Sequence, residues 1–226
     1  MTLRIFKTPI KINPVVVINI LGLWGITTGV GITQHPGRGL GAGILIGFLA
    51  MILLLVADFG HALAHIFSAR AAKAPMDEIL LSAGMPRTIY IDNDISPVAH
   101  RTRALGGPIF SLLGLILSAV LYWTAGPITI QLELARWSIL GHGLILIGSL
   151  LPLPVVDGGS ILKWTLVKRG KKEKEADQIL TTINWIVGAV SLIASIGFLL
   201  IFSWVVGLIL AAIGGIFITA GLGILK

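Results

Sequence analysis

Asp58-Phe59-Gly60-His61-Ala62-Leu63-Ala64-His65 is the stretch whose reading decides this chain. His61 and His65 stand four residues apart inside a long apolar run, and on a helix that spacing puts both rings on one face. Polar rings in such a setting cost on the order of several kcal/mol unless each finds a partner. One buried histidine is usually a hydrogen-bonded core residue. Two at a spacing that can grip a single ion are rarer, and from the pair alone a metal site and a bonded core pair stand as equal readings. Asp58 lies three residues before His61 and seven before His65, so all three share a face.

The run belongs to a chain of 226 residues that is 55% apolar and only 12% charged, with mean hydropathy +0.96. Soluble domains carry about 25% charged residues, so the composition marks an integral membrane protein. A membrane span needs about 20 mostly apolar residues. Six such segments are expected, over about 14–33, 40–66, 104–124, 137–154, 181–202 and 204–225. The last two form a hairpin around Ser203-Trp204. The expected fold is therefore all-α: a six-transmembrane helical bundle with short cytoplasmic β-strands, forming one domain over 1–226. The leader contains Pro9 and Pro14, and no small-residue cleavage site follows its apolar run, so the first span is expected to be retained.

The net charge of +7 reports topology. Arg4, Lys7 and Lys11 precede the first span. Arg70, Lys73, Arg87, Arg101 and Arg103 fall in the 67–103 loop, and Lys163, Lys168, Arg169, Lys171, Lys172 and Lys174 in the 163–178 loop. With Lys226 these make 15 of the 17 basic residues, leaving only Arg38 and Arg136 on the other side. By the positive-inside rule both termini are cytoplasmic. The same charge gives some affinity for anionic lipid in the bilayer and is not a nucleic-acid signal. There are no cysteines, which excludes disulfides, thiol catalysis and cysteine-ligated zinc.

Residues 2–13 alternate around Lys7-Thr8-Pro9 and suggest a short strand pair. Glu78–Ser82 and Arg87–Ile91 are strand-like as well, separated by Ala83-Gly84-Met85-Pro86. An unpaired strand edge is costly near a membrane, so these strands are expected to pair with each other or with the N-terminal ones; an ordinary structured loop is the competing reading. A paired sheet could accept an extended peptide as an added strand. Lys163 to Gln178 reads as a charged linker, and Ala211-x-x-x-Gly215 as a weak helix-contact motif.

A second chemical signal is Ser149-Leu150-Leu151-Pro152-Leu153-Pro154-Val155-Val156-Asp157-Gly158-Gly159. Its prolines and glycines break the helix at membrane depth, where irregular backbone is tolerated only against protein or a wet cavity. Asp157 is thus a carboxylate presented inside the bundle, and it could also cap a following turn at Ile161–Val167. His142, seven residues before Ser149 and on the same helix face, reads chiefly as a core histidine bonded to a backbone carbonyl, and less as a cavity residue.

These motifs resemble those of the site-2 protease family of intramembrane zinc metalloproteases. That family carries His-Glu-x-x-His on one transmembrane helix and Asn-x-x-Pro-x-x-Pro-x-Asp-Gly on a later one. Leu3-Arg4-Ile5-Phe6-Lys7 with Pro9 and Ile10 resembles its N-terminal strand, and Arg103-Ala104-Leu105-Gly106-Gly107-Pro108-Ile109-Phe110-Ser111 the turn opening its third helix. The resemblance covers nearly the whole chain and implies a minimal six-helix member. It implies zinc (Zn2+) as cofactor, His61, His65 and Asp157 as its ligands, and water in the fourth position. Transmembrane segments of client or substrate proteins are the implied partners, and the implied location is multi-pass in a prokaryotic plasma membrane.

The departures are as specific as the match. The family's glutamate, the general base, is Ala62; its asparagine is Ser149; and one motif proline is Val155. A positioned base is worth about 10²–10⁴-fold and one oxyanion donor about 10²–10³-fold. Asp58 reads as a partner that orients a ligand or as an extra ligand, as a structural polar residue, or, least favoured by its displacement of about 6 Å along the axis, as a substitute base. The chain is thus expected to be a pseudoprotease, inactive or very weak as written. The alternatives are an active intramembrane endopeptidase, silenced by a glutamate-to-alanine change at Ala62 or using Asp58 as base, and a metal or proton transporter. The last is weakened because the polar residues are expected to gather near one face of the membrane.

Overall fold

The computed structural model describes residues 1–82, 84–126 and 129–225; Ala83 and Lys226, used above for a turn and for the charge bias, lie outside them. In chain order the elements are β1 (Thr2–Ile5), β2 (Thr8–Ile12), α1 (Val16–Gln34), α2 (Leu40–Ala71), β3 (Glu78–Leu81), β4 (Arg87–Ile89), α3 (Pro97–Thr124), α4 (Ile130–Ser149), α5 (Asp157–Lys168), α6 (Glu173–Gly197) and α7 (Trp204–Gly221). A π-helical turn, Phe198–Phe202, follows α6. Six of the helices are long and apolar enough to cross a membrane. Lipid-facing surface is plain on them, with Ile18 and Leu40 each 68% exposed. The chain is a multi-pass membrane protein.

The described residues fall into two compact units. One holds Met1–Ile95 with Leu105–Gly148, the other Ser96–Ala104 with Ser149–Lys226.

In the first unit the four strands form one sheet in the order β1-β2-β3-β4. The loop reading of these segments is therefore set aside. Phe6 and Lys7 both adopt positive φ between β1 and β2, as a two-residue hairpin turn requires. The Phe6 ring meets Phe67 edge-on at 4.8 Å. β2 and β3 run parallel with Ile10 opposite Ile79. Those two side chains are 1% and 0% exposed and pack with Ala62, Ile66 and Ala69 of α2 and with Met76. On the other face Lys11 pairs with Glu78 at 2.6 Å. Alternation thus puts the apolar face of the sheet against the histidine-bearing part of α2.

α1 and α2 approach closely because Thr27 donates to the Gly47 carbonyl at 2.7 Å. A methyl group on Gly47 would run into the Thr28 backbone. At the α1–α2 loop the Arg38 guanidinium grips Glu133 of α4 with two hydrogen bonds, one of 3.0 Å from Nη1 to Oε1 and a shorter one from Nη2 to Oε2. That contact raises the Arg38 pKa above its ordinary value. Ser118 and Ser138 join α3 to α4 at 2.7 Å. Polar residues therefore occur along the bundle toward the α1–α2 loop end as well as around the histidines, although each of these is matched to another.

In the second unit, glycines set the approach of α6 to α7. A Cβ on Gly188 would overlap Ile218, and one on Gly214 would overlap Leu192; Gly215 has nothing within 4 Å. The Ala211/Gly215 pair is thus not what brings the helices together. The expected charged linker is largely helical. α5 runs to Lys168 and α6 begins at Glu173, leaving a four-residue connection at 169–172. Lys163 of α5 reaches Asp177 at 2.9 Å and Glu173 at 3.6 Å, two carboxylates one turn apart on α6. The charge run is the polar face of two helices.

Removing one partner of a nearly buried ion pair costs about 3–5 kcal/mol, because the other charge is left stranded. Arg38 and Glu133 side chains are only 13% and 9% exposed. Glu133→Leu is expected to lower the unfolding midpoint in detergent markedly, and Arg38→Met with Glu133→Leu to lower it less than the single change. Thermal unfolding of the three proteins checks this, and a double variant that unfolds at or below the midpoint of Glu133→Leu would refute it.

Candidate metal centre

α2 carries His61 and His65 one turn apart, with Ala62 between them on a different face. The two Nε2 atoms face each other at 3.4 Å, and the rings stand at 75° with centroids 5.1 Å apart. Two nitrogens held about 2.0–2.1 Å from one tetrahedral ion would be separated by about 3.3 Å. The pair is thus set at the separation one shared ion demands.

The other nitrogen of His61, Nδ1, lies 2.9 Å from Ser111 Oγ on α3. If Nδ1 carries the proton and donates to Ser111, Nε2 is the unprotonated nitrogen, the usual arrangement for a ligating histidine. Close packing makes this contact. A Cβ on Gly107 would overlap the His61 ring, one on Gly106 would strike Ser68 and the Ala64 carbonyl, and one on Gly60 would strike Phe110. Residues 103–111 are already inside α3, which begins at Pro97, and not a turn opening it; Gly106 and Gly107 lack side chains there because α2's histidine face lies directly on them.

His65 is buried at 4% exposure, and Ala62 is buried at 3% in the apolar cluster shared with Ile10 and Ile79. The Ala62 methyl group helps seat the sheet. Asp58 is half-buried, lines a cavity between α1 and α2, and among the described residues has no hydrogen-bond or ion-pair partner.

His142 differs from its expected setting. Its ring lies against Gly114, where a Cβ would overlap it, and 5.7 Å from Phe110. Its buried Nδ1 has no hydrogen-bond partner among the described residues. A missing side chain, not a carbonyl, makes room for it.

Ser149 and Asp157 belong to the second unit. Ser149 is the last residue of α4 and is buried. The helix stops there, five residues earlier than hydropathy suggests, because Pro152 and Pro154 cannot donate to a continuing ladder. Asp157 opens α5, whose N-cap is Val156 in extended conformation with no side-chain cap. α5 starts four residues before the expected turn, so Asp157 is a first-turn residue and not the cap. Its carboxylate gains from the helix dipole there.

Sequence reasoning missed Asn184. It is 1% exposed and donates from Nδ2 to the Pro152 carbonyl at 2.8 Å and the Leu180 carbonyl at 2.7 Å. It thereby ties the broken segment ahead of Asp157 to α6. Gly158 and Gly159 lie so near the Leu150, Leu151 and Leu153 carbonyls that a Cβ on either would overlap them. An asparagine in a 25-residue apolar helix was the available signal, since buried amides in spans need a partner.

Neither a protein-family model nor a curated protein matches the sequence. Among solved structures the chain is similar to the site-2 protease from Methanocaldococcus jannaschii, with a TM-score of 0.58 at 16% identity over 100% of this chain and 95% of that one. The six long apolar helices, the small sheet and the interrupted segment before Asp157 are thus arranged in the fold of a site-2 protease.

Proposed function

We propose that the whole of 1–226 acts as a site-2-protease-like membrane domain that holds zinc on His61, His65 and Asp157. It would bind transmembrane segments of client proteins and hydrolyse peptide bonds very weakly or not at all. The observation that carries the reading is the facing pair of Nε2 atoms 3.4 Å apart, backed by Ser111 on Nδ1. Two imidazoles and a carboxylate are a catalytic-type zinc set, and Asp157 is the third member by its position in the motif.

When bound, zinc supplies a Lewis acid that polarises a carbonyl and acidifies water. What this chain lacks is the group to move the proton. Ala62 has no acid–base chemistry and is packed among Ile10, Ile66 and Ile79. Ser149 offers a hydroxyl where the family pattern has an amide. A substrate could be held near the metal centre while the step that needs a base is slowed by about 10²–10⁴-fold or more. Two site positions and the apolar packing of Ala62 depart together, which supports divergence over a single silencing change.

The basic residues place both termini and the loop carrying β3 and β4 on the cytoplasmic side in this proposal. Single cysteines introduced near Lys7 and Lys168 are expected to react with an impermeant maleimide only after permeabilisation of right-side-out vesicles. Labelling of intact vesicles at either would refute it.

The purified protein is expected to hold about one zinc per chain, measured by atomic emission. His65→Ala should abolish it, and Ser111→Ala should weaken it about 10–100-fold, as loss of an orienting partner does. Zinc unchanged in His65→Ala would sink the assignment.

Ala62→Glu alone is expected to give little cleavage of a transmembrane substrate in proteoliposomes and to reduce stability, since it puts a carboxylate into the sheet-facing cluster. Ala62→Glu with Ser149→Asn should cleave more. Strong rescue by the single change would mean a silenced enzyme. Slow cleavage by the unmodified chain that disappears in Asp58→Asn, with zinc still bound, would make Asp58 the base.

A further inference from the structure

Asp58 is a carboxylate in the middle of a 32-residue apolar helix, about 27 Å along the axis from Leu40 and about 20 Å from Ala71. A carboxylate at such a position needs a partner. Among the described residues no hydrogen-bond donor reaches it and no cation lies within ion-pair distance, its one charge interaction being with the His61 ring a turn away, and the space it borders is a cavity of about 650 Å³. That volume lies within the range of small-ligand sites.

The walls say what would fit. They come from α1, from α2 and from Leu81, Ser82, Gly84 and Pro86, and are almost wholly apolar, with Leu23 and Val56 typical. A Cβ added at Gly22 on α1 would meet nothing within 4 Å, so the wall is open there for a chain to lie along. The polar lining is confined to Asn19, Asp58 and Ser82. Asn19 already spends its amide donor on the Ser82 carbonyl at 3.3 Å. What faces the cavity from Asp58 is therefore acceptor capacity with negative charge, at one place in an apolar groove.

We propose that this groove binds an amphiphile with a primary ammonium head and a single long alkyl chain, the head donating to the Asp58 carboxylate and the chain lying between α1 and α2. Charge complementarity selects this occupant. An ordinary acyl chain leaves the carboxylate unpaired, an anionic lipid repels it, and an alcohol offers one uncharged donor where an ammonium offers three with a positive charge. The site itself needs no metal, and its carboxylate stands one turn from His61, whose ring it acts on electrostatically.

The test uses the full chain in nanodiscs of zwitterionic lipid and a hexadecylamine carrying a mid-chain diazirine. Photolysis is expected to label peptides from α1 (16–26) and α2 (52–59). Unlabelled hexadecylamine should compete, while hexadecanol and palmitate should do so at least about tenfold less well, the factor expected for a charge-assisted hydrogen bond. Asp58→Asn should weaken labelling at least about tenfold. Gly22→Leu, which fills the groove and leaves the carboxylate, should weaken it as well. Equal competition by hexadecanol, labelling unchanged in Asp58→Asn, or labelling spread over α3 to α7 would show simple partitioning into lipid and overturn the proposal. Displacement by an apolar peptide bearing one lysine, at lower concentration than hexadecylamine itself, would assign the groove to a peptide and overturn it too.

Discussion

Two imidazoles one turn apart inside an apolar helix are tolerable only if their nitrogens are satisfied, and the surroundings of α2 are shaped by that demand. His61 takes Ser111 on one nitrogen and His65 on the other. Bringing Ser111 that close requires α3 to lie on α2 with no side chain between, which is why Gly106 and Gly107 precede it. The same rule repeats elsewhere in the first unit. Thr27 finds the Gly47 carbonyl, and Arg38 finds Glu133. In hydrocarbon the partner of a polar group must be built into the fold, because no water stands ready to replace it.

The sheet follows from a different constraint with the same outcome. Four short strands, of three to five residues each, could not stand alone. They persist because Ile10 and Ile79 bury fully against α2, each such side chain contributing about 1.5–3 kcal/mol. The contact point on α2 is the stretch around Ala62 and Ile66. Metal-centre helix and sheet therefore share one seam, and a change at residue 62 is felt by both.

Much of this was legible in the sequence, for reasons that differ by element. Hydropathy located six long helices because lipid demands length and apolarity and little else. It misplaced their ends where the cause was local: α4 ends at Ser149 ahead of two prolines inside an apolar run, and α2 continues to Ala71 past the last strongly apolar residues. α5 was hidden because Gly158, Gly159 and a run of lysines resemble a linker, whereas the glycines serve close packing and Lys163 pairs with α6. The histidine pair was visible from spacing alone. Its orientation was not, since Ser111 lies fifty residues from His61, and neither was Asn184, whose role depends on where the broken segment folds back. Long-range pairing of this kind leaves no periodic trace.

Ala62 shows what the sheet asks of α2: at 3% exposure its methyl group is covered by the sheet's own apolar face. The histidine-bearing surface of α2 and its sheet-facing surface are separated by about a quarter turn, so residue 61 answers to α3 while residue 62 answers to β2 and β3. The histidine pair is oriented by a hydroxyl of α3 while the residue beside it is sealed by the sheet, so one turn of α2 meets a polar and an apolar demand at once.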